Sequence, residues 1–182
     1  ASGYNSTSMG VATEASGQRS VAMGYDNIAS GESSTAMGAS TEASGVFSVA
    51  MGVNTEALAD YSTALGVYSN AIGDYSTAMG ASTEASGYYS TAMGKDTEAS
   101  GSWSTSMGNN TVASGYNSTS MGVATEASGY QSVAMGSYTD ATGTSSTAMG
   151  YLTEARAYQL VIGQNNIPSG SNTTWVSSDA AF

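Results

Sequence analysis

The sequence predicts an all-β fold, a parallel β-roll or solenoid of 14-residue coils that needs more than one chain to be covered, and three observations lead there. One unit returns every 14 residues along nearly the whole chain. Each half-unit ends in Gly and is rich in Thr, Ser, Val and Ala. The first half-unit carries uncharged residues on both of its alternating sides.

The unit reads x-x-Ser-Thr-Ala-Met-Gly-x-x-Thr-Glu-Ala-Ser-Gly. It places Met9, Met23, Met37, Met51, Met79, Met93, Met107, Met121, Met135 and Met149 in one series, with Leu65 in the single gap. Ala recurs in step in the second half-unit, at Ala1, Ala15, Ala29 and onward to Ala155, and no residue is inserted or deleted before Met149. Two short stretches per unit fit two strands, joined by tight turns that are expected to use glycine's tolerance of positive φ. A helix fits poorly, because a Gly every seven residues would cost about 1 kcal/mol each. Stacked at the strand spacing of roughly 4.8 Å, such coils make a rod roughly 50 Å long. Backbone pairing between coils explains the constant length, since an inserted residue would bulge out of the ladder.

Alternation along the two strands sets up the assembly. In the second strand Thr13, Ala15 and Gly17 share one face and Glu14 and Ser16 the other, one packed and one wet. In the first, Ser48, Ala50 and Gly52 lie opposite Phe47, Val49 and Met51, and neither side is charged. A strand covered on both faces needs two partners, and a two-strand coil supplies one. A bare Met row would forgo roughly 1.5–3 kcal/mol of burial per side chain, so another chain is expected to cover the open face. The pattern leaves open which row meets the neighbour and how many chains assemble. It also leaves open an alternative in which Met fills the interior of a single chain as flexible packing.

Composition excludes several function classes. Among 182 residues there are 23 Gly, one Pro, two Phe and no Cys or His, which is not the mixture of an ordinary globular core. Three basic against fourteen acidic residues give a net charge of −11, so neither nucleic acid nor an anionic membrane surface is an expected partner. Without Cys or His there is no zinc, haem-histidine or thiolate site and no disulfide framework. No paired carboxylate breaks the repeat and a periodic lattice offers no cleft, so no enzyme activity and no cofactor are expected. There is no apolar run of membrane-spanning length, and the chain, opening at Ala1 in mid-pattern, is expected to be a segment of something longer.

The Ser-Val-Ala-Met-Gly runs at Ser20 to Gly24, Ser48 to Gly52 and Ser132 to Gly136, alternating with Ala-Ser-Gly, resemble the head repeats of trimeric autotransporter adhesins. The likeness covers residues 1 to about 163, with Met standing where Ile or Val is usual. It implies a left-handed roll, a homotrimer of chains side by side, and a head that binds host-cell, matrix-protein or glycan partners. The left hand rests on the resemblance alone, against the general right-handed preference of parallel crossovers. It also implies an extracellular location, on a cell surface and anchored to an outer membrane through a region outside this chain, or on a virion, since similar repeats occur in phage tail fibres. Residues 1–163 are assigned to the roll. Leu160-Val161-Ile162-Gly163 arrives one residue early, and residues 164–182, with the only Pro and with Trp175 and Phe182, are expected to form a cap or a connector.

Two rows stand out as candidate sites. Glu14, Glu42, Glu56, Glu84, Glu98, Glu126 and Glu154 share one repeat position, so some stack as like-charged neighbours; a solvated acidic face is expected, not a metal site. Phe47, Tyr61, Tyr75, Tyr89 and Trp103 lie one unit apart and predict an aromatic ladder over five coils. The ladder shares the parity of the Val/Met row, so it either closes a seam between chains or stands exposed for carbohydrate or protein recognition. Tyr4, Tyr88, Tyr116 and Tyr130, one position earlier, are expected to be the more exposed group.

The functional expectation is a non-enzymatic adhesin or fibre head segment. The alternative is a purely structural spacer of a fibre. A remote one is an ice-binding solenoid, because Thr7, Thr35, Thr63, Thr77, Thr91, Thr105, Thr119 and Thr147 form a hydroxyl row, although a single-file one interrupted by Val21, Val49 and Val133.

Overall fold

The computed structural model describes residues 1–166. Each coil runs through a five-residue strand such as Val21–Tyr25, a bend, a two-residue strand such as Ile28–Ala29, and a turn back. In Val133–Ala141 and Thr147–Ala155 the two strands of one coil fuse into one. Every strand pairs in parallel with its equivalents in adjacent coils, so Met9 lies opposite Met23 and Ala15 opposite Ala29. The result is a parallel β-solenoid with no helix among the described residues.

The interior is made of small side chains. Ala22, Ala36 and Ala50 of the long strands and Ala15, Ala29 and Ala43 of the short ones are fully buried, together with Ser20, Ser34, Thr55 and their repeats. The Met and Thr/Val rows alternate with the buried Ala and therefore face outward, with Met9 62% and Met51 39% exposed. Met does not fill the chain's own interior. The Ser/Ala row occupies it, because two sheets joined by such short coils lie too close together for a long side chain between them.

The turns correct one expectation. The residues in the left-handed region are not glycines: they come every seventh position and include Ser33, Ser40, Phe47, Asn54 and Tyr61, with φ between 49° and 57°. Non-glycine residues rarely adopt this conformation. It is held here by coil-to-coil hydrogen bonding, as where the Phe47 N–H donates to the Glu32 carbonyl at 2.8 Å and the Tyr61 N–H to the Val46 carbonyl at 2.8 Å. Glycine's tolerance of positive φ is used within the long strands, where Gly24, Gly38 and Gly94 have φ of 122°, 133° and 129°, and glycine also serves close approach. A Cβ on Gly31 would stand 2.0 Å from the Gly45 carbonyl oxygen of the next coil, and one on Gly94, whose φ is +129°, would stand 2.0 Å from the Gly108 oxygen.

Buried hydroxyls are satisfied unevenly. Where the long strand carries Ser in place of Ala, as at Ser106 and Ser120, its hydroxyl lies 2.7 Å from the Thr111 or Thr125 hydroxyl and donates to that residue's carbonyl at 2.9 Å. Where it carries Ala, the facing Thr55, Thr83, Thr97, Thr139 and Thr153 hydroxyls have no partner. Asn27 replaces Thr in one coil and ties that coil to the next: its amide donates to Met23 and Gly38 carbonyls at 2.7 and 2.8 Å, and its oxygen accepts from the Thr41 N–H at 2.9 Å.

The early arrival of Leu160 is absorbed in a turn. Leu160 pairs with Thr147 and Gly163 with Gly150, so the ladder is intact. The missing residue falls within Arg156-Ala157-Tyr158-Gln159, where the Gln159 N–H donates to the Arg156 carbonyl at 3.0 Å and the Gln159 side chain accepts from the Arg156 N–H at 2.9 Å. The last strand among the described residues is Leu160–Gln164, and the cap or connector expected over 164–182 lies, beyond residue 166, outside them.

Ala92→Ser is expected to give the Thr97 hydroxyl the partner that Ser106 gives Thr111, raising stability by about 1 kcal/mol in chemical denaturation. Gly94→Ala drives a methyl into the neighbouring backbone and is expected to cost about 3 kcal/mol, read as a lowered denaturation midpoint.

Candidate interaction surface

The two sheets expose faces of opposite character. On the long-strand face, the Thr/Val row and the Met row run side by side from Thr7 and Met9 to Leu160 and Ile162 without a charged residue. Adjacent Met side chains stack at the coil spacing, which leaves most of them half-buried. On the short-strand face, Glu42 pairs with Glu56, Glu84 with Glu98, and Glu126 with Asp140, which in turn pairs with Glu154.

Asp140 is a member of the acidic row that sequence reading missed, because only Glu was followed along that position. Burial pushes its carboxyl above the ordinary range, and the Glu126 and Glu154 charges push the same way. Depressions on this face are small: one of about 160 Å³ is lined by Asn110, Val112, Thr125, Glu126 and Asp140. That is below the usual size of a small-molecule site. No group of three or more acidic residues with metal-holding geometry occurs among the described residues.

Phe47, Tyr61, Tyr75, Tyr89 and Trp103 do form a continuous stack. Successive ring centroids are 5.4, 4.8, 4.5 and 6.1 Å apart with interplanar angles of 14°, 1°, 7° and 4°. The rings stand on the left-handed turn residues at the edge of the apolar face and are 41–50% exposed. The neighbouring tyrosines are not more exposed as a group: Tyr4 is 73% exposed, but Tyr88, Tyr116 and Tyr130 are 41%, 43% and 49%. The reason is that these rings join the ladder. Tyr88 meets Tyr75, Tyr89 and Trp103 at 85–88°, Trp103 meets Tyr116, and Tyr116 stacks on Tyr130 with centroids 5.1 Å apart. The ladder therefore lengthens to Tyr130, which spacing alone does not show because the column changes by one residue.

Because the folded-state pKa of Asp140 is raised, its ionised form opposes folding. Its contribution to stability is complete below the unfolded carboxyl range near pH 4 and is lost as pH rises through the folded value. Asp140→Asn is expected to raise the thermal midpoint at pH 7 by on the order of 1–2 °C. The difference should vanish below about pH 4, where Asp140 is itself neutral.

The repeat register seen here recurs in known proteins. Residues 1–27, 29–55, 43–69, 57–83, 71–97, 85–111, 99–123, 113–139 and 141–158 match the family model described as the YadA head domain repeat (2 copies). Comparison with curated proteins gives no match. With nearly every coil matched and the coils stacked in constant register, the chain belongs to the family of YadA head domain repeats.

Proposed function

We propose that this chain is a non-enzymatic head segment of an extracellular, surface-exposed adhesin that assembles as a homotrimer and attaches to host cells, matrix proteins or glycans. The family supports this in general terms: its members are adhesins, homotrimeric and without catalytic activity as a rule. The observation that carries the reading is the pair of uncharged Thr/Val and Met rows running the length of the roll, with Lys95 in the row beside them as the one charge on that side among the described residues, set against a carboxylate face on the other side.

That face is on the order of 50 Å by 16 Å, about 800 Å², from the strand spacing and rise. An area of this size matches what one partner contributes to a stable protein–protein interface, and it exceeds the apolar patches that monomers usually leave open. The acidic face repels its own copy, so it stays in solvent while the Met face meets the neighbours. The spacer reading draws support from the uniformity of the coils, and it predicts assembly without adhesion.

The first test is the solution mass. Light scattering is expected to give three times the 18.2 kDa chain mass. Met93→Lys with Met107→Lys places two charges on the outward row, and it should lower the mass to that of one chain while the β-sheet circular dichroism persists. A wild-type chain that is folded and monomeric would sink the proposal. A trimer that adheres to no cell, matrix protein or glycan would leave the spacer.

A further inference from the structure

The aromatic ladder is an exposed apolar strip, and its ring geometry restricts what it can bind. Stacked rings occupy each other's faces and turn their edges to solvent. Tyr88 is the exception. Its ring lies 88° from that of Tyr89 with centroids 4.5 Å apart. Two perpendicular rings meeting edge to edge would be held about 6 Å apart by carbon contact, so a face meets an edge here. The faces of Tyr89 are taken by Tyr75 and Trp103, so the face is that of Tyr88. Its other face turns away from the stack, and the residue is 41% exposed.

The surroundings of that face are acidic. Asp60, Asp74 and Tyr88 occupy one repeat position in three consecutive coils, as the Tyr75 N–H to Asp60, Tyr89 N–H to Asp74 and Trp103 N–H to Tyr88 hydrogen bonds show, at 2.9, 3.0 and 2.8 Å. Each carboxylate spends one oxygen on the ladder: Asp60 Oδ1 accepts from the Val46 N–H at 2.8 Å and Asp74 Oδ1 from the Asp60 N–H at 3.3 Å. No cation pairs with either among the described residues, because Arg19, Lys95 and Arg156 bond Glu32, Asp96 and Glu154. The Arg19–Glu32 pair is informative. It places a guanidinium in this same corner on the carboxylate of this same repeat position, and Arg19 Nε also donates to the Ser33 hydroxyl at 3.2 Å.

We propose that Asp60, Asp74 and the outer face of Tyr88 form a docking site for arginine or lysine side chains of a basic partner segment. A cation over the ring face gains from the quadrupole, and the free carboxylate oxygens supply paired acceptors one coil apart. The net charge of −11 steers a basic segment toward the roll. A seam between chains would have to run the whole roll, yet the ladder position carries Asn5, Arg19, Ser33, Asn117, Gln131 and Ser145 in other coils. The site is local to a few coils, as a ligand site is.

This inference deepens the adhesin reading and rests on it for its biological meaning, but its test does not. Binding of a dye-labelled hexa-arginine peptide to the assembled protein is measured by fluorescence anisotropy at about 0.15 M salt, where distant charges are screened. Asp60→Asn with Asp74→Asn, which keeps both backbone-capping oxygens, is expected to weaken binding about tenfold. Tyr88→Leu should weaken it about threefold and Tyr88→Phe, which keeps the ring face, less than twofold. Glu42→Gln with Glu56→Gln removes the same charge from the acidic row and should change binding less than twofold. Equal losses in the two charge-matched variants, or none on Tyr88→Leu, would overturn the proposal, as would a neutral oligosaccharide binding at Tyr88 while the peptide does not. If cells bind the wild type and the Asp60/Asp74 variant equally, the adhesin reading survives and this site's part in it falls.

Discussion

The backbone hydrogen bonds between successive coils are the constraint on which the rest of the structure depends. Once each coil pairs in parallel with the next, every repeat position becomes a column at strand spacing, and what a column carries is set by that distance. Aromatic rings fit it as a stack, with Tyr61 and Tyr75 4.8 Å apart. Carboxylates fit it badly: burial first, and then Glu126 on one side and Glu154 on the other, push the Asp140 carboxyl above its ordinary range. At positions such as Gly31 and Gly94 the next coil's carbonyl occupies the space of a Cβ, and the left-handed turn residues are tolerated because the ladder uses their N–H groups.

A core of alanine, serine and threonine changes where stability comes from. Each buried Ala removes little apolar surface from water, so the interior contributes less per residue than a core of Leu and Phe. Many of its hydroxyls are also unpaired, among them Thr83 and Thr97, and an unpaired buried polar group opposes folding. The large apolar side chains lie outside, on the Met face, where only a neighbouring chain can bury them. Covering that face would therefore add stability that the small-residue interior does not supply. The ladder adds stacking along the axis at the edge of that face, and it leaves Tyr88 as the ring turned outward.

Much of this was legible in the residues. The strict 14-residue period predicted parallel coils in constant register, because any other stacking would bring unlike columns together. The five-ring ladder and the stacked glutamates followed from the same period. The role of glycine followed in part: positive φ is found at Gly24 and its repeats, but only the distance from Gly31 to the next carbonyl shows that a Gly is also a contact. The extension of the ladder through Tyr88 to Tyr116 and Tyr130 was missed, because a ring one residue out of column joins a stack only through its side-chain direction.

By itself, then, the amino-acid sequence determined the coil length, the register, the columns and the presence of two uncharged sides on the long strand. Those are properties of period and parity, which require no knowledge of depth. Which uncharged side lies inside was decided only by the tertiary structure. The turns bring the two sheets together at a separation that admits Ala22 and Ser20 but not Met23, and the same closure sends the Met row outward, toward a surface that other chains can cover.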